Sequence, residues 1–538
     1  MTIRFKMKIN MKNLRLSILL FFVASSAIMA QTLTDAIKLT TNEQFAKADA
    51  VFTSLIQFQP NNGELYFYYG ENYFKNDNLE MANKFYQKGV DVNATNPFCY
   101  VGLGKIQWYE GKQAEAKANF YKATTLAAGK NATVLIKIAE AYTNADNKDI
   151  TEALNLLAQA AKLEPKNPKV YIAIGDAYLE QNDGTKAVDN YEKAGALDPT
   201  SPRALLKQGQ VWNRAKNYTL AIETYKKAKL IDSTFAPAYR ELAEIYLRAG
   251  QYGNAAYNAK RYLDLNNDCS TMGRYAGILY QAKNYKEAVT SALEAQKCDP
   301  DNIYLNRYLA FSQYETGDYP NGLLNSDAFF AKAKTGMKII PMDYEYRAKL
   351  LAKNGKDSLA IIDYKKALEL QPENIEIYGD IAFTYFKMKK YPEAIAAYKT
   401  KMEKGKSNAN DTLAIGRAYY YSKDFMNADS SFASVIKSQP NFPNGYLWRA
   451  KTNTQLDPKN EKWLAKPFYE QFIAKVKPEE TEKSKKDLID AYTYLGVYYM
   501  NNKGMCTAKT YFKKIAELDP ANNNAKKFLD SAEAKKCP

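Results

Sequence analysis

The chain has 538 residues, and its 75 Lys and Arg against 59 Asp and Glu give a net charge of +16. It contains no histidine, which excludes every Ser-His or Cys-His nucleophile and every His-ligated metal site. Glycine (25) and proline (19) are too few for a collagen-like or low-complexity chain, whereas tyrosine is abundant, at 43 residues against 24 Phe and 4 Trp.

Arg4, Lys6, Lys8, Lys12 and Arg15 form a basic start without an acid, and an apolar run from Leu16 to Ala24 follows. Small residues then lead to Ala30 and Gln31. This order predicts a secretory signal peptide over residues 1–30, cleaved after Ala30. The apolar run is shorter than the roughly 20 residues of a spanning helix. No cysteine precedes Cys99, so lipid attachment near the cleavage site is not expected. The expected location is outside the inner membrane, periplasmic or associated with the outer membrane, where peripheral membrane contact stays open. The basic charge is spread without a Lys/Arg block, and nucleic acid is not an expected partner.

Beyond residue 31 a pattern recurs about every thirty-four residues. In residues 168–201, Tyr171, Ile174, Gly175 and Tyr178 share one helical face. After Asn182-Asp183-Gly184 come Ala187, Tyr191 and Ala194, and then Asp198-Pro199. One repeat later stand Leu205, Gly209, Trp212, Ala221, Tyr225 and Ala228. The pattern extends back through Gly104, Ala116 and Phe120 to a partial unit at Ala36 and Ala48. It extends forward through Ala382, Tyr385, Ala394 and Tyr398 to Gly496, Tyr499, Ala508 and Phe512. Residues 303–340 match poorly, with Gly322 where Ala is expected, and an insertion lies near Pro458. Fourteen units are predicted, followed by an amphipathic closing helix that contains Phe528 and Leu529.

Each unit reads as two helices. Gly or Ala at the eighth place of the first lets the second approach closely, and Pro320 and Pro392 fall at the first turn of a second helix, where a missing N–H costs nothing. X-Pro pairs end the second helix. These residues closely resemble the tetratricopeptide repeat (TPR) family across almost all of the chain after residue 31. The resemblance implies an all-α fold, a right-handed superhelical solenoid of about fourteen TPR hairpins with a C-terminal capping helix. The predicted organisation is a subarray over 31–302, a degenerate repeat and hinge over 303–340, and a second subarray with the cap over 341–538.

The resemblance also implies a concave groove lined by places two, five, nine and twelve of each first helix. In the N-terminal units these include Phe67, Glu71 and Phe74, then Phe98, Lys105 and Trp108. In the middle they carry Arg203, Arg240 and Arg274, a basic lining suited to an acidic partner, and further on Phe383, Phe386 and Tyr420. Exposed aromatics beside charges suit capture of a peptide or helix. The implied partners are other proteins, envelope or secretion components, in a scaffold for outer-membrane biogenesis, secretion or surface assembly. Binding of carbohydrate or peptidoglycan is the alternative, since aromatic faces also stack on sugars.

Antiparallel helices place Cys269 beside Cys298, and Cys506 beside Cys537, as candidate disulfides in an exported chain. Cys99 has no partner. No catalytic, cofactor or metal site emerges. Gly102-Leu-Gly104-Lys105 lacks the spacing of a phosphate loop. Asn76-Asp77-Asn78 and Asp146-Asn147 stand where turns favour such residues. The reading is of a non-enzymatic protein.

Overall fold

The computed structural model describes residues 32–333, 338–405 and 408–538; the predicted signal peptide lies outside the described residues. Among these residues there are thirty α-helices, a 3-10 turn at Pro478–Glu480, and no strand. The helices run as fourteen consecutive pairs, from Leu33–Thr41 with Phe45–Phe58 to Lys485–Asn501 with Met505–Leu518. They form a helix-hairpin solenoid with two compact units, the first ending at Ser312 and the second running Gln313–Pro538. The weak repeat at 303–340 folds as two helices of ordinary length, Ile303–Thr316 and Tyr319–Lys332. The closing segment departs from the expected single helix. It forms Asn523–Leu529 and Ala532–Lys535, because Ser531 is extended and its hydroxyl caps the N–H of Ala534 at 3.2 Å.

The pair Pro168–Glu180 (α9, counting from Leu33–Thr41) and Gly184–Leu197 (α10) shows how sequence sets the unit. Asn167 caps α9 by accepting the N–H of Lys169 at 2.9 Å, and Pro168 takes the first turn. The turn to α10 runs through Asn182 at φ +62°, after which Asp183 caps the N–H of Lys186 at 3.1 Å. The left-handed residue is therefore Asn182, and Gly184 begins the helix. Glycine fills the equivalent place at Gly111, with φ +77°, where a side chain would be strained.

Ala187, Tyr191 and Ala194 are the buried face of α10. The Tyr191 ring lies flat on the backbone of α9 at Gly175: a methyl group there would sit 2.4 Å from its Cε1. The same contact joins Gly70 to Tyr86, Gly209 to Tyr225 and Gly416 to Phe432. Burying one such ring contributes roughly 2–3 kcal/mol, and at these four glycines it leaves no room for a Cβ. A second tyrosine place fastens four of the units to the loop before them. Tyr66, Tyr100, Tyr171 and Tyr446 donate to the carbonyls of Pro60, Ala94, Pro165 and Pro440 at 3.1, 3.1, 2.8 and 3.0 Å. Much of the tyrosine excess is thus structural.

Near Pro458 the insertion folds around Asp457. Its carboxylate accepts the N–H groups of Glu461, Lys462 and Leu464 at 2.9, 3.0 and 3.4 Å, which turns the chain into the short helix Lys466–Lys475.

The structure joins Cys269 to Cys298 (Cα–Cα 5.7 Å) and Cys506 to Cys537 (Cα–Cα 5.2 Å). The second bond ties the closing helices to the last hairpin. Cys99 is buried and its thiol donates to the Gly63 carbonyl at 3.1 Å; burial pushes that thiol up to about 12.

Gly175→Ala is expected to destabilise the chain by about 1–3 kcal/mol through overpacking. Gly195→Ala, where the new methyl meets only Ala204 Cβ at an ordinary 3.5 Å, should be neutral or stabilising by up to about 1 kcal/mol. Denaturant melts of the two variants check this contrast, and equal melts would refute the ring-on-backbone account. Thiol titration of the unreduced chain should find no reactive thiol when native and a single one, Cys99, when unfolded; three or five would contradict the pairing.

Candidate functional site

The first unit closes on itself. Across 190 residues Gln44 Nε2 donates to the Thr234 carbonyl at 2.9 Å, and across 218 residues Lys47 Nζ donates to the Leu265 carbonyl at 3.1 Å. Lys38 lies 3.4 Å from Asp232. Arg240 grips Glu43 with a two-pronged contact, both distances 3.1 Å, and also lies 3.2 Å from Glu241. The first hairpin is therefore latched to the helices after Ile231. The first helices of the units between surround a groove of about 710 Å³, its open mouth included. Its wall runs from Ile37 and Thr40 through Tyr68, Glu71 and Lys75 to Ile136, Lys137 and Glu140, and on to Lys169, Ile172 and Arg203.

The structure separates the expected groove residues into two classes. Phe67, Phe98 and Trp108 are almost fully buried and unavailable to a partner. Their own hairpin and the neighbouring unit cover them: Phe67 packs on Tyr86 of its own second helix and on Phe98 of the next unit, at 5.8 and 5.3 Å between ring centres, and Trp108 meets Tyr142 edge-on at 4.6 Å. Glu71 and Lys105 are buried against each other at 2.5 Å, with Tyr86 Oη donating to Glu71 at 2.7 Å. Phe74 is half-buried under Lys105, whose Nζ stands 4.2 Å from the ring centre. In the second unit Phe386 and Tyr420 are half-buried, and Phe383 is 59% exposed.

The basic lining also needs correction. Arg240 is consumed by Glu43 and Glu241, and Arg274 by Glu244. Charge neutralised inside the protein has little left for a ligand. Of the three arginines only Arg203 has no carboxylate partner among the described residues, and it faces the groove. Two lysines absent from the expected lining join it there, Lys75 and Lys169, likewise without an ion pair. Lys169 was legible: it holds the same place as Arg203, one repeat earlier. Lys75 lies one residue beyond Phe74, outside the places that the family geometry assigns to the groove.

The groove's carboxylates are already engaged. Burial would raise the Glu71 carboxyl, but Lys105 and Lys137 overcome this and hold it well below the usual range. Lys137 lies 3.5 Å from Glu71 and 2.6 Å from Glu140. The Glu140 carboxyl is opposed by burial in the same way and is held down by Lys137. Lys75 is open to the groove, yet protein encircles it. Removal from bulk water pushes its ammonium down to about 7, and the charges of Lys137 and Arg203 add to the effect. Burial lowers Lys169 too, with Arg203 contributing. Arg203 thus repels both lysines across one groove, and none of the three makes an ion pair among the described residues, an arrangement that an anionic ligand would relieve. Among the described residues no group of three His, Cys, Asp or Glu is placed to hold a metal ion.

The sign of the Lys75 effect follows from linkage. Its ordinary value is 10.5, so between about pH 7 and 10.5 the unfolded chain binds the additional proton and stability rises with pH. Below about pH 7 the folded chain carries a charge it disfavours. Lys75→Met is expected to raise the melting temperature most near pH 6 and progressively less toward pH 9.5. A shift of the same size at both ends would show that the ammonium is not strained.

Tetratricopeptide-repeat models match residues 144–211, 363–396, 99–129 and 347–374. Among curated proteins none matches this sequence. Among solved structures, the C-terminal part of a TPR repeat-containing protein from Cytophaga hutchinsonii is 33% identical, covering 48% of this chain and 100% of that one, with a TM-score of 0.44. A protective antigen of uropathogenic Escherichia coli that displays an SLR fold is 16% identical, covering 81% of this chain and 97% of that one, with a TM-score of 0.43. On the repeat matches and the Cytophaga relative, the chain belongs to the tetratricopeptide-repeat family, whose repeats are in general a non-catalytic scaffold that binds other proteins.

Proposed function

We propose that this chain is an exported, non-enzymatic scaffold of the cell envelope that holds an acidic segment of a partner protein in its N-terminal groove. The observation that carries the reading is the set of three unpaired cations, Lys75, Lys169 and Arg203, on one enclosed wall. A segment bearing several carboxylates would meet all three, release the repulsion among them, and pack its apolar atoms on the half-buried Ile37 and Tyr68. The export reading is supported by the basic and apolar residues of 1–30 and by two cysteine pairs placed as disulfides. No helix among the described residues is long and apolar enough to cross a membrane. The role in the envelope would be in outer-membrane biogenesis, secretion or surface assembly, at the periplasmic face or on the outer membrane.

A photo-crosslinker at position 37 or 133, both half-buried on the groove wall, activated in the producing cell and followed by mass spectrometry, tests this. It is expected to recover a protein joined through a segment rich in Asp and Glu. Recovery should fall at least about tenfold in a Lys75→Gln, Lys169→Gln, Arg203→Gln variant, and should fall with rising salt. A recovered segment without acids, or unchanged recovery from the variant, would overturn the proposal.

A further inference from the structure

Among the described residues of the second unit, Arg417 is a part-buried arginine that its surroundings leave without an ion pair. Arg417 lies on the helix Ala409–Tyr421, with its Cζ 5.0 Å from the ring centre of Trp448 and 5.4 Å from that of Phe386. It makes no ion pair or hydrogen bond among the described residues, and its Nε is buried without a partner. The other arginines of this unit at comparable depth are answered: Arg347 by Asp363 at 2.6 Å, and Arg449 by Asp429 at 3.0 Å. Nearby Lys401 is likewise consumed, by Glu376 and Asp411 at 2.8 and 3.0 Å.

Arg417 opens into a pocket of about 230 Å³, mouth included, that it shares with Phe383, Phe386, Tyr398 and Ala414. Phe383 holds the ninth place of its helix, where other units carry Glu71, Lys105, Asp176 and Lys349. It is 59% exposed, so the unit forgoes a solvated charge there and leaves a bare ring beside an unpaired guanidinium.

We infer that the Phe383–Arg417 pocket is a second docking site, which takes a carboxylate side chain lying next to a bulky apolar side chain of a partner polypeptide. The flat guanidinium matches a carboxylate prong for prong, and the aromatic walls remove competing water. A single cation between rings suits one weakly hydrated charge rather than a phosphate dianion. Arginine with Trp, Tyr and Phe is also the composition of protein-binding hot spots. This inference rests on the reading of the chain as a protein-binding scaffold, but it concerns a site separate from the N-terminal groove.

The test uses the full chain in the Lys75→Gln, Lys169→Gln, Arg203→Gln background, so that the first groove does not contribute. Immobilised acetylated Gly-Ser decapeptides carry a central Phe-Asp, Phe-Asn or Ala-Asp pair, with an oligogalacturonate on the same surface. The Phe-Asp peptide is expected to be retained at least about tenfold more strongly than the other two peptides. Arg417→Gln should reduce it to the Phe-Asn level. Phe383→Ala, which alters an exposed side chain and leaves the fold unchanged, should reduce it to the Ala-Asp level. Equal retention of Phe-Asp and Phe-Asn overturns the inference. So does Arg417-dependent retention of oligogalacturonate in place of the peptides, which would make the pocket a site for acidic sugars. Either failure leaves crosslinking in the N-terminal groove untouched, so the two proposals fail separately.

Discussion

The fold depends on close approach within each hairpin, made in six units by an aromatic ring of the second helix lying on the naked backbone of the first, at Gly70, Gly104, Gly175, Gly209, Gly416 and Gly496. At Gly70, Gly175 and Gly209 even one methyl group would overlap the ring by far more than packing tolerates. The contact fixes both the spacing and the rotation of the two helices. It also settles where polar groups can go. In two units the hydroxyl of the tyrosine in this position ends at a carboxylate in the ninth place of the first helix: Tyr86 donates to Glu71 and Tyr191 to Asp176, each at 2.7 Å. Other units differ, with Lys105 and Arg417 opposite Phe120 and Phe432, and Gln210 opposite Tyr225, whose hydroxyl turns to Glu241 at 3.4 Å. Each buried hydroxyl named here thus finds a carboxylate acceptor.

Glu71 connects the core to the groove. Glu71 serves Tyr86 on its inner side and Lys105 and Lys137 on its outer side. Its hydrogen bonds and ion pairs are made inside the wall, and it forms no ion pair with Lys75, Lys169 or Arg203 among the described residues. The basic character of the groove follows from this uneven distribution more than from the number of lysines. Arg417 is the opposite case. Its paired ring, Phe432, has no hydroxyl to satisfy, and no neighbouring carboxylate answers the guanidinium.

Much of the fold was legible in the sequence, because Gly175, Tyr191 and Pro199 obey short-range rules that hold within one hairpin. Pro320 and Pro392 fall in the first turns of Tyr319–Lys332 and Tyr391–Glu403, as the spacing requires. The groove was far less legible. Place numbers within a repeat identify the face of a helix, but they do not show how far the next unit leans over it, and that lean buries Phe67, Phe98 and Trp108. Nor does repeat spacing show that Glu43, in the first hairpin, lies against Arg240 across some 190 residues. Lys75 escaped because the closed turn brings a helix end to the wall. The break at Ser531 in the closing segment reflects a single capping hydroxyl, too local for an amphipathic pattern to reveal.

In an ordinary hairpin array each repeat feels only its two neighbours, so stability is close to a one-dimensional sum and the ends fray first. The clasp between the first hairpin and the helices after Ile231 breaks that additivity. It gives the N-terminal end a second anchorage and joins distant repeats into one cooperative loop. A segment seated in the groove would then be held by a closed belt, which it must enter lengthwise or after the clasp has parted.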